Sequence, residues 1–305
     1  MGTPIIALIG ATAVGKSAVA VELARHIGGE IINADSRQVY RGMAIGTGVP
    51  SEEERGGVLH HLYGISKPDD DFSLGRFLTA AKCAIQDIHE RGKTPIVVGG
   101  TGQYVWALLE GWNVPEVAPD PDLRQELMER AEADGREVLH KELRRLDPAA
   151  AELIHPNNLI RTVRALEVVV TTGRPFSAQR TQTAPPWDIR ITGVSMERDA
   201  LDSRIEQRVD RQLEVGWIDE VRSLLAAGYS SSLSSFRSIG YREIAAHIES
   251  GMPFDEMRQT IIHKTRRFAR TQFAWFRHDD ERITWMDADE ESEQLAEQTQ
   301  AALGL

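Results

Sequence analysis

The chain has 305 residues and a formal net charge of −11, with 41% apolar and 27% charged residues, the composition of an ordinary globular protein with room for one large domain or a core carrying an insertion. Cys83 is the single cysteine, which excludes an intrachain disulfide and points to a reducing, cytoplasmic setting. No apolar run approaches the roughly 20 residues of a membrane span, and the acidic balance excludes indiscriminate nucleic-acid binding while allowing a local basic surface.

Met1-Gly2-Thr3-Pro4 has no basic leader region and reads straight into a strand over 5–10, so no signal peptide is expected. GATAVGKS follows: Gly10, Ala11, Thr12, Ala13, Val14, Gly15, Lys16 and Ser17. A helix over 16–27 comes next and stops at Gly28-Gly29. Strand, glycine loop and helix in this order fit G-x-x-x-x-G-K-[ST], whose backbone amides and helix N-terminus bind phosphate. Lys16 is expected to neutralise phosphate oxygens, and the Ser17 hydroxyl suits Mg²⁺.

A second strand, Glu30-Ile31-Ile32-Asn33-Ala34, runs into Asp35-Ser36. A polar, glycine-rich loop then extends from Gly42 to about Asp71. Ser73 is placed to cap a helix with Leu74, Phe77, Leu78, Ala81, Ile85 and Ile88 on one face. The strand Thr94-Pro95-Ile96-Val97-Val98 leads into Gly99-Gly100-Thr101-Gly102. Alternating strands and helices predict an α/β fold, a parallel sheet flanked by helices of the P-loop NTPase-like kind. Asp35 and Thr101 follow strands directly, which puts both on the rim that carries the phosphate loop. No acid follows Val98, so the Asp that helps hold magnesium in a nucleotide hydrolase is missing. Asp35 is the rim carboxylate, suited to hold or deprotonate a nucleophile facing the phosphates.

From Pro121 to about Gln182 the text is helical and polar, and is read as a helical insertion over 119–186 within a core of 1–118 and 187–305. A return strand is predicted over 189–194, one long helix over 200–227, further helix to about 277, then a short strand at 283–285 and an acidic helix. Arg161 and Arg164, three apart, share a helical face and are phosphate candidates. The run from Lys264 to Arg277 interleaves five basic residues with Phe268, Phe273, Trp275 and Phe276. It reads either as an RNA groove or as an amphipathic helix with its aromatics in the core. His60-His61 is read as structural, since adjacent residues rarely ligate one ion, and there is no Cys/His array for zinc.

These motifs together resemble the tRNA dimethylallyltransferase (isopentenyltransferase) family. The resemblance is carried by GATAVGKS, Asn33-Ala34-Asp35-Ser36-Arg37-Gln38-Val39-Tyr40, Met43-Ala44-Ile45-Gly46-Thr47, His60-His61-Leu62 and Val98-Gly99-Gly100-Thr101-Gly102. It continues in Asn158-Leu159-Ile160-Arg161-Thr162-Val163-Arg164-Ala165-Leu166-Glu167, Arg208-Val209-Asp210, Gly216-Trp217-Ile218-Asp219-Glu220-Val221, Ser238-Ile239-Gly240-Tyr241-Arg242-Glu243 and the run from Thr265 to Arg277. It implies transfer of a dimethylallyl group from dimethylallyl diphosphate to N6 of the adenosine 3′-adjacent to the tRNA anticodon, with Mg²⁺ on the diphosphate. It also implies Asp35 as general base, Thr12 on the diphosphate end, and Arg237, favoured over Arg242, as the clamp on the leaving group. RNA contacts fall by resemblance to Asp35, Ser36, Arg37, Gln38, Thr101 and Arg124, with Arg242 as a further candidate and the insertion on the anticodon arm. Arg267 and Thr271 depart from the family's usual residues. A monomer is expected. A small-molecule kinase would explain the phosphate loop and Asp35 but neither the insertion nor the basic run. An adenylate isopentenyltransferase would share the donor but need no insertion of this size. A pure RNA-binding module would leave the phosphate loop unexplained.

Overall fold

The computed structural model describes residues 3–115, 117, 119–179, 181–288 and 291–304. Met1 and Gly2, read above as no leader, and Ala118, read as a boundary, lie outside the described residues. The chain runs β1 (Thr3–Gly10), α1 (Lys16–Ile27), β2 (Gly29–Asn33), α2 (Ala44–Thr47), β3 (His60–His61), α3 (Leu74–Glu90), β4 (Thr94–Gly99) and α4 (Gly102–Leu109). There follow α5 (Pro121–Asp134), α6 (Arg136–Leu146), α7 (Pro148–Leu153), α8 (Leu159–Thr172) and α9 (Phe176–Gln179). The last stretch holds β5 (Trp187–Ser195), α10 (Arg198–Glu214), α11 (Trp217–Ala226), α12 (Tyr241–Ser250), α13 (Phe254–Phe273), β6 (Ile283–Asp287) and α14 (Ser292–Leu303). Among the described residues no helix is long and apolar enough to cross a membrane.

The chain divides into two compact units, residues 1–109 with 186–305 and residues 110–185. In the first, the sheet is six-stranded with order β3-β2-β4-β1-β5-β6, and every pairing is parallel. Ile5 to Ile9 of β1 are wholly buried because helices cover both faces, so the strand is a continuous apolar run. β4 and β5 flank β1 on opposite sides, which makes the carboxyl end of β1 the point where the strand order reverses and a crevice opens. α1 buries Val19, Ala20 and Leu23 against the sheet. Ser73 caps α3 as expected, accepting from Arg76 N.

Two predicted helices are broken in the structure. The expected 200–227 helix divides into α10 and α11 at Val215-Gly216, where Gly216 takes φ 103°. That left-handed turn swings Trp217 inward to 1% exposure, packed among Tyr241, Phe236 and Met43. The indole needs its space: a methyl on Gly46 or Gly240 would fall 2.0 or 2.1 Å from it. The helical stretch expected to end near 277 is a 3-10 turn at Ser235–Arg237, then α12 and α13, separated where Gly251 ends one helix and Pro253 starts the next. The loop after Gly42 also contains α2 and β3. His61 Nε2 there donates at 2.7 Å to the buried Glu30 carboxylate, which also binds Arg91, and His60 Nδ1 bonds Val58 O at 2.9 Å, so the histidine pair is absorbed by structure.

The second unit, α5 to α9, has its own core of Leu127, Leu139, Leu143, Val163, Ala165 and Leu166. Its ends are tied by an antiparallel bridge between Trp112 and Gln182, with Asn113 N bonded to Thr181 O at 2.8 Å.

Candidate active site

β1 delivers the chain to Gly10, whose φ of 146° and 2.4 Å clearance to Val194 O leave no room for a side chain. The loop turns through Ala13 at φ 67°, a left-handed conformation uncommon outside glycine, and Gly15 at φ 99°. α1 starts at Lys16, with Ala18 N and Val19 N returning to Gly15 O at 3.1 and 3.4 Å. Ala11, Ala13 and Val14 are buried, Thr12 and Lys16 half-buried, and Ser17 exposed at the first turn. Lys16 Nζ donates to Ala11 O at 2.5 Å. Burial pushes the lysine down to about 8, with the Asp35 carboxylate opposing and the Arg208 guanidinium reinforcing the shift.

Asp35 owes its place to Asn33, the last residue of β2. The buried Asn33 side chain accepts from Asp35 N at 2.8 Å and donates to Asp35 O and Leu62 O, both at 3.1 Å. Asp35 Oδ1 in turn accepts from Arg37 N at 2.8 Å. Thr101, past β4, accepts from Ser36 N at 3.0 Å and donates to Ser36 Oγ at 3.3 Å. Thus the turn after β2 and the turn after β4 are joined. Asp35 also stabilises the charges of Lys16 and Arg208, so the carboxylate and the loop's lysine occupy one rim.

The remaining sequence candidates divide by what their side chains do. Gln38 donates to Thr47 O and Gly48 O at 3.1 and 2.9 Å, fastening the turn after α2. Arg37 Nη1 reaches Ser234 O at 3.4 Å, which brings the loop carrying Arg237 to this edge. Arg237 is exposed at the end of the 3-10 turn, and Arg242 is exposed and donates to Ser232 O at 3.2 Å. In the second unit, Arg124 and Arg164 both bind the fully buried Glu167, at 2.8 and 2.5 Å, while their neighbour Arg161 is exposed. In α13 and just past its end the aromatics split: Phe276 is 1% exposed, whereas Phe268 and Trp275 are 37% and 45% exposed. Arg266 and Arg270 pair with Glu206 and Asp202 of α10, at 3.0 and 3.4 Å, so part of the basic run is neutralised.

Three contributors escaped the sequence reading. Arg208 and Arg204 lie one helical turn apart on α10. The Arg204 guanidinium sits 3.4 Å from where a Gly15 side chain would start, and that of Arg208 packs on Gly48. Burial and Arg204 lower the Arg208 pKa while Asp35 and Glu54 oppose them, and no hydrogen bond or ion pair to its side chain is found among the described residues. The third is Gln272 of α13, bonded to Thr12 N at 2.7 Å. Arg-x-x-x-Arg spacing in a helix was readable, but its direction toward the loop was not.

Comparison with known proteins shows the family of the chain and its fold. A family model described as IPP transferase matches residues 38–279, and one described as isopentenyl transferase matches residues 3–65. The chain belongs to the IPP transferase family. A tRNA dimethylallyltransferase from Thermomicrobium roseum is 45% identical over 302 residues, 98% of this chain and 92% of that protein. The crystal structure of a full-length tRNA isopentenylpyrophosphate transferase from Bacillus halodurans superposes with TM-score 0.73 at 38% identity, covering 100% of this chain and 96% of that one. A eukaryotic dimethylallyltransferase captured acting on tRNA gives TM-score 0.80 at 27% identity, covering 98% and 77%. The IPP transferase fold is therefore the P-loop-bearing parallel sheet described above, and the P-loop NTPase-like reading holds.

Proposed function

We propose that this IPP transferase moves a dimethylallyl group from dimethylallyl diphosphate to the N6 amine of the adenosine 3′-adjacent to the anticodon of tRNA, releasing diphosphate. The observation that carries the reading is that the phosphate loop follows β1 and the Asp35 carboxylate follows β2 at the same edge of one parallel sheet, with Lys16, Asp35 and Arg208 near enough to act on one another's charge. The relatives' names agree in donor and acceptor.

The bond changes balance without a further reactant. The amine nitrogen bonds to the allylic carbon, the C–O bond breaks, its electron pair leaves with the diphosphate, and the amine proton passes to the Asp35 carboxylate. Charge grows on the leaving diphosphate, so cations fixed around it lower the barrier. Lys16 and the loop amides supply this, and Thr12 holds the diphosphate end. We assign the clamp to Arg208 rather than Arg237 or Arg242, because α10 sets it one turn from Arg204, which abuts Gly15 of the loop, and its guanidinium acts on both Lys16 and Asp35. The residues fit Mg²⁺ as a companion of the diphosphate. Ser17 offers an exposed hydroxyl, and among the described residues no group of three His, Cys, Asp or Glu forms a metal cage. Bound there, the ion would add charge neutralisation on the leaving group.

The adenine must leave its stack to reach Asp35. Ser36, Arg37 and Thr101 at the rim receive it, with Gln38 backing the turn. Arg161 contacts phosphate from the second unit, where Glu167 holds Arg124 and Arg164 ready, and Arg242 does so from α12. The chain acts as a monomer. Incubation with radiolabelled dimethylallyl diphosphate, Mg²⁺ and either bulk tRNA or AMP tests the reading. Label in tRNA alone supports it. Label in AMP transfers it to the adenylate isopentenyltransferases, and label in neither removes the donor assignment.

A further inference from the structure

Gln272 is 2% exposed and both ends of its amide are engaged. Oε1 accepts from Thr12 N at 2.7 Å, and Nε2 donates to Gly100 O at 2.8 Å. The partners fix the orientation, since an amide N–H can only donate and a carbonyl can only accept. Gly100 is shaped around this contact: a methyl there would fall 2.2 Å from Nε2. Gly100 precedes Thr101, whose hydroxyl holds Ser36 beside Asp35. One buried side chain therefore spans from the phosphate loop to the turn that supports the carboxylate.

The Thr12 bond matters for a second reason. Thr12 immediately precedes Ala13, the loop residue at φ 67°. A non-glycine residue in that region is strained and persists only where its surroundings over-determine it. Gln272 supplies that constraint from outside the loop, and its helix is itself pinned to α10 through Arg258 and Arg266.

We propose that Gln272 is a positioning residue that sets the diphosphate cradle against the Asp35 rim. The proposal rests on the transfer reading above. Gln272 touches neither substrate. It fixes where the allylic carbon stands relative to the incoming nitrogen, and a displacement of about 1 Å at this kind of contact lowers turnover by about 10²-fold.

The test uses two full-length variants that break the contact from opposite sides. Gln272→Met keeps the bulk and loses both hydrogen bonds, while Gly100→Ala pushes the amide away and leaves α13 intact. Each variant is assayed below its melting temperature, with folding checked by circular dichroism. Single-turnover transfer is expected to fall about 10- to 100-fold, inorganic pyrophosphate is expected to bind more weakly, and KM for tRNA is expected to stay near the wild-type value. A residue with only a stabilising role would lower the melting temperature and leave the turnover of folded enzyme unchanged. A folded variant of either kind with wild-type turnover and wild-type pyrophosphate affinity overturns the proposal. The pyrophosphate titration stands apart from prenyl transfer, so a wild-type enzyme that fails to label tRNA would refute the transfer reading and leave this measurement interpretable.

Discussion

Lys16 gives the prediction with the firmest magnitude. Its ammonium is destabilised by burial to a pKa of about 8, against 10.5 for the free side chain. In the unliganded protein it is charged below pH 8 and loses its proton above. The donor's diphosphate binds the charged form. At pH 9, one unit above the pKa, about a tenth of the lysine carries its charge, so the donor Kd should rise about tenfold over its plateau near pH 7. Binding restores the charge, and the complex should take up close to one proton at pH 9. The unfolded chain holds its proton up to about 10.5, so it binds more protons than the native state between pH 8 and 10.5. This lysine therefore lowers native stability below pH 8, and that cost is relieved as the pH climbs through the window. Calorimetric titration of dimethylallyl diphosphate at pH 7, 8 and 9, in buffers of different ionisation heat, reads Kd and proton uptake together. Lys16→Arg stays charged throughout and should give a flat profile. Equal affinity at pH 7 and 9 in the native protein, or the same alkaline loss in Lys16→Arg, would refute the reasoning.

Asp35→Ala should lower kcat about 10²- to 10⁴-fold with donor affinity little changed, as measured by single-turnover transfer beside donor titration; near-normal turnover would remove the base role. Arg208→Gln should weaken pyrophosphate binding about 10- to 100-fold, and more than Arg237→Gln does; the reverse order would return the clamp to Arg237. Glu30, whose bonds to Arg91 and His61 outweigh its burial, is held down to about 2. Its contribution of about 3 kcal/mol is present above pH 4.5 and lost as pH falls toward 2. Denaturation of Glu30→Gln should show that deficit at pH 7 and none at pH 2. Gly240→Ala puts a methyl 2.1 Å from the Trp217 ring at φ 95°, and should lower stability by about 2–5 kcal/mol, read from the shift of the denaturation curve.

Local pattern reached far into this fold and then stopped at identifiable places. Strand, glycine loop and helix at 5–27 were legible because each signal agreed with the next. The parallel sheet followed from alternation, and Asp35 could be placed on the rim because residues after parallel strands share an edge. The break at Gly216 was hidden because the apolar positions on either side keep helical spacing; what breaks the helix is the demand of Trp217 for a pocket built by Gly46 and Gly240. Arg208 and Gln272 were hidden for a related reason. Each lies on a helix whose own periodicity is satisfied, and its meaning comes from a partner far along the chain. Glu167 stands in the motif that carries the resemblance, but its role was hidden, since an acid on a helix looks solvated until two arginines and Asp120 N are found to enclose it.

Thr12 and Gln272 are 260 positions apart. During synthesis the phosphate loop emerges from the ribosome 260 residues ahead of the side chain that completes it. The nascent N-terminal portion can pair β1, β2 and β4, yet it lacks β5, α10 and the amide from α13. A product ending before α13 would carry the glycine motif in full and lack the amide that holds Thr12 N. The motif is a local word, but the binding competence it advertises belongs to the completed chain.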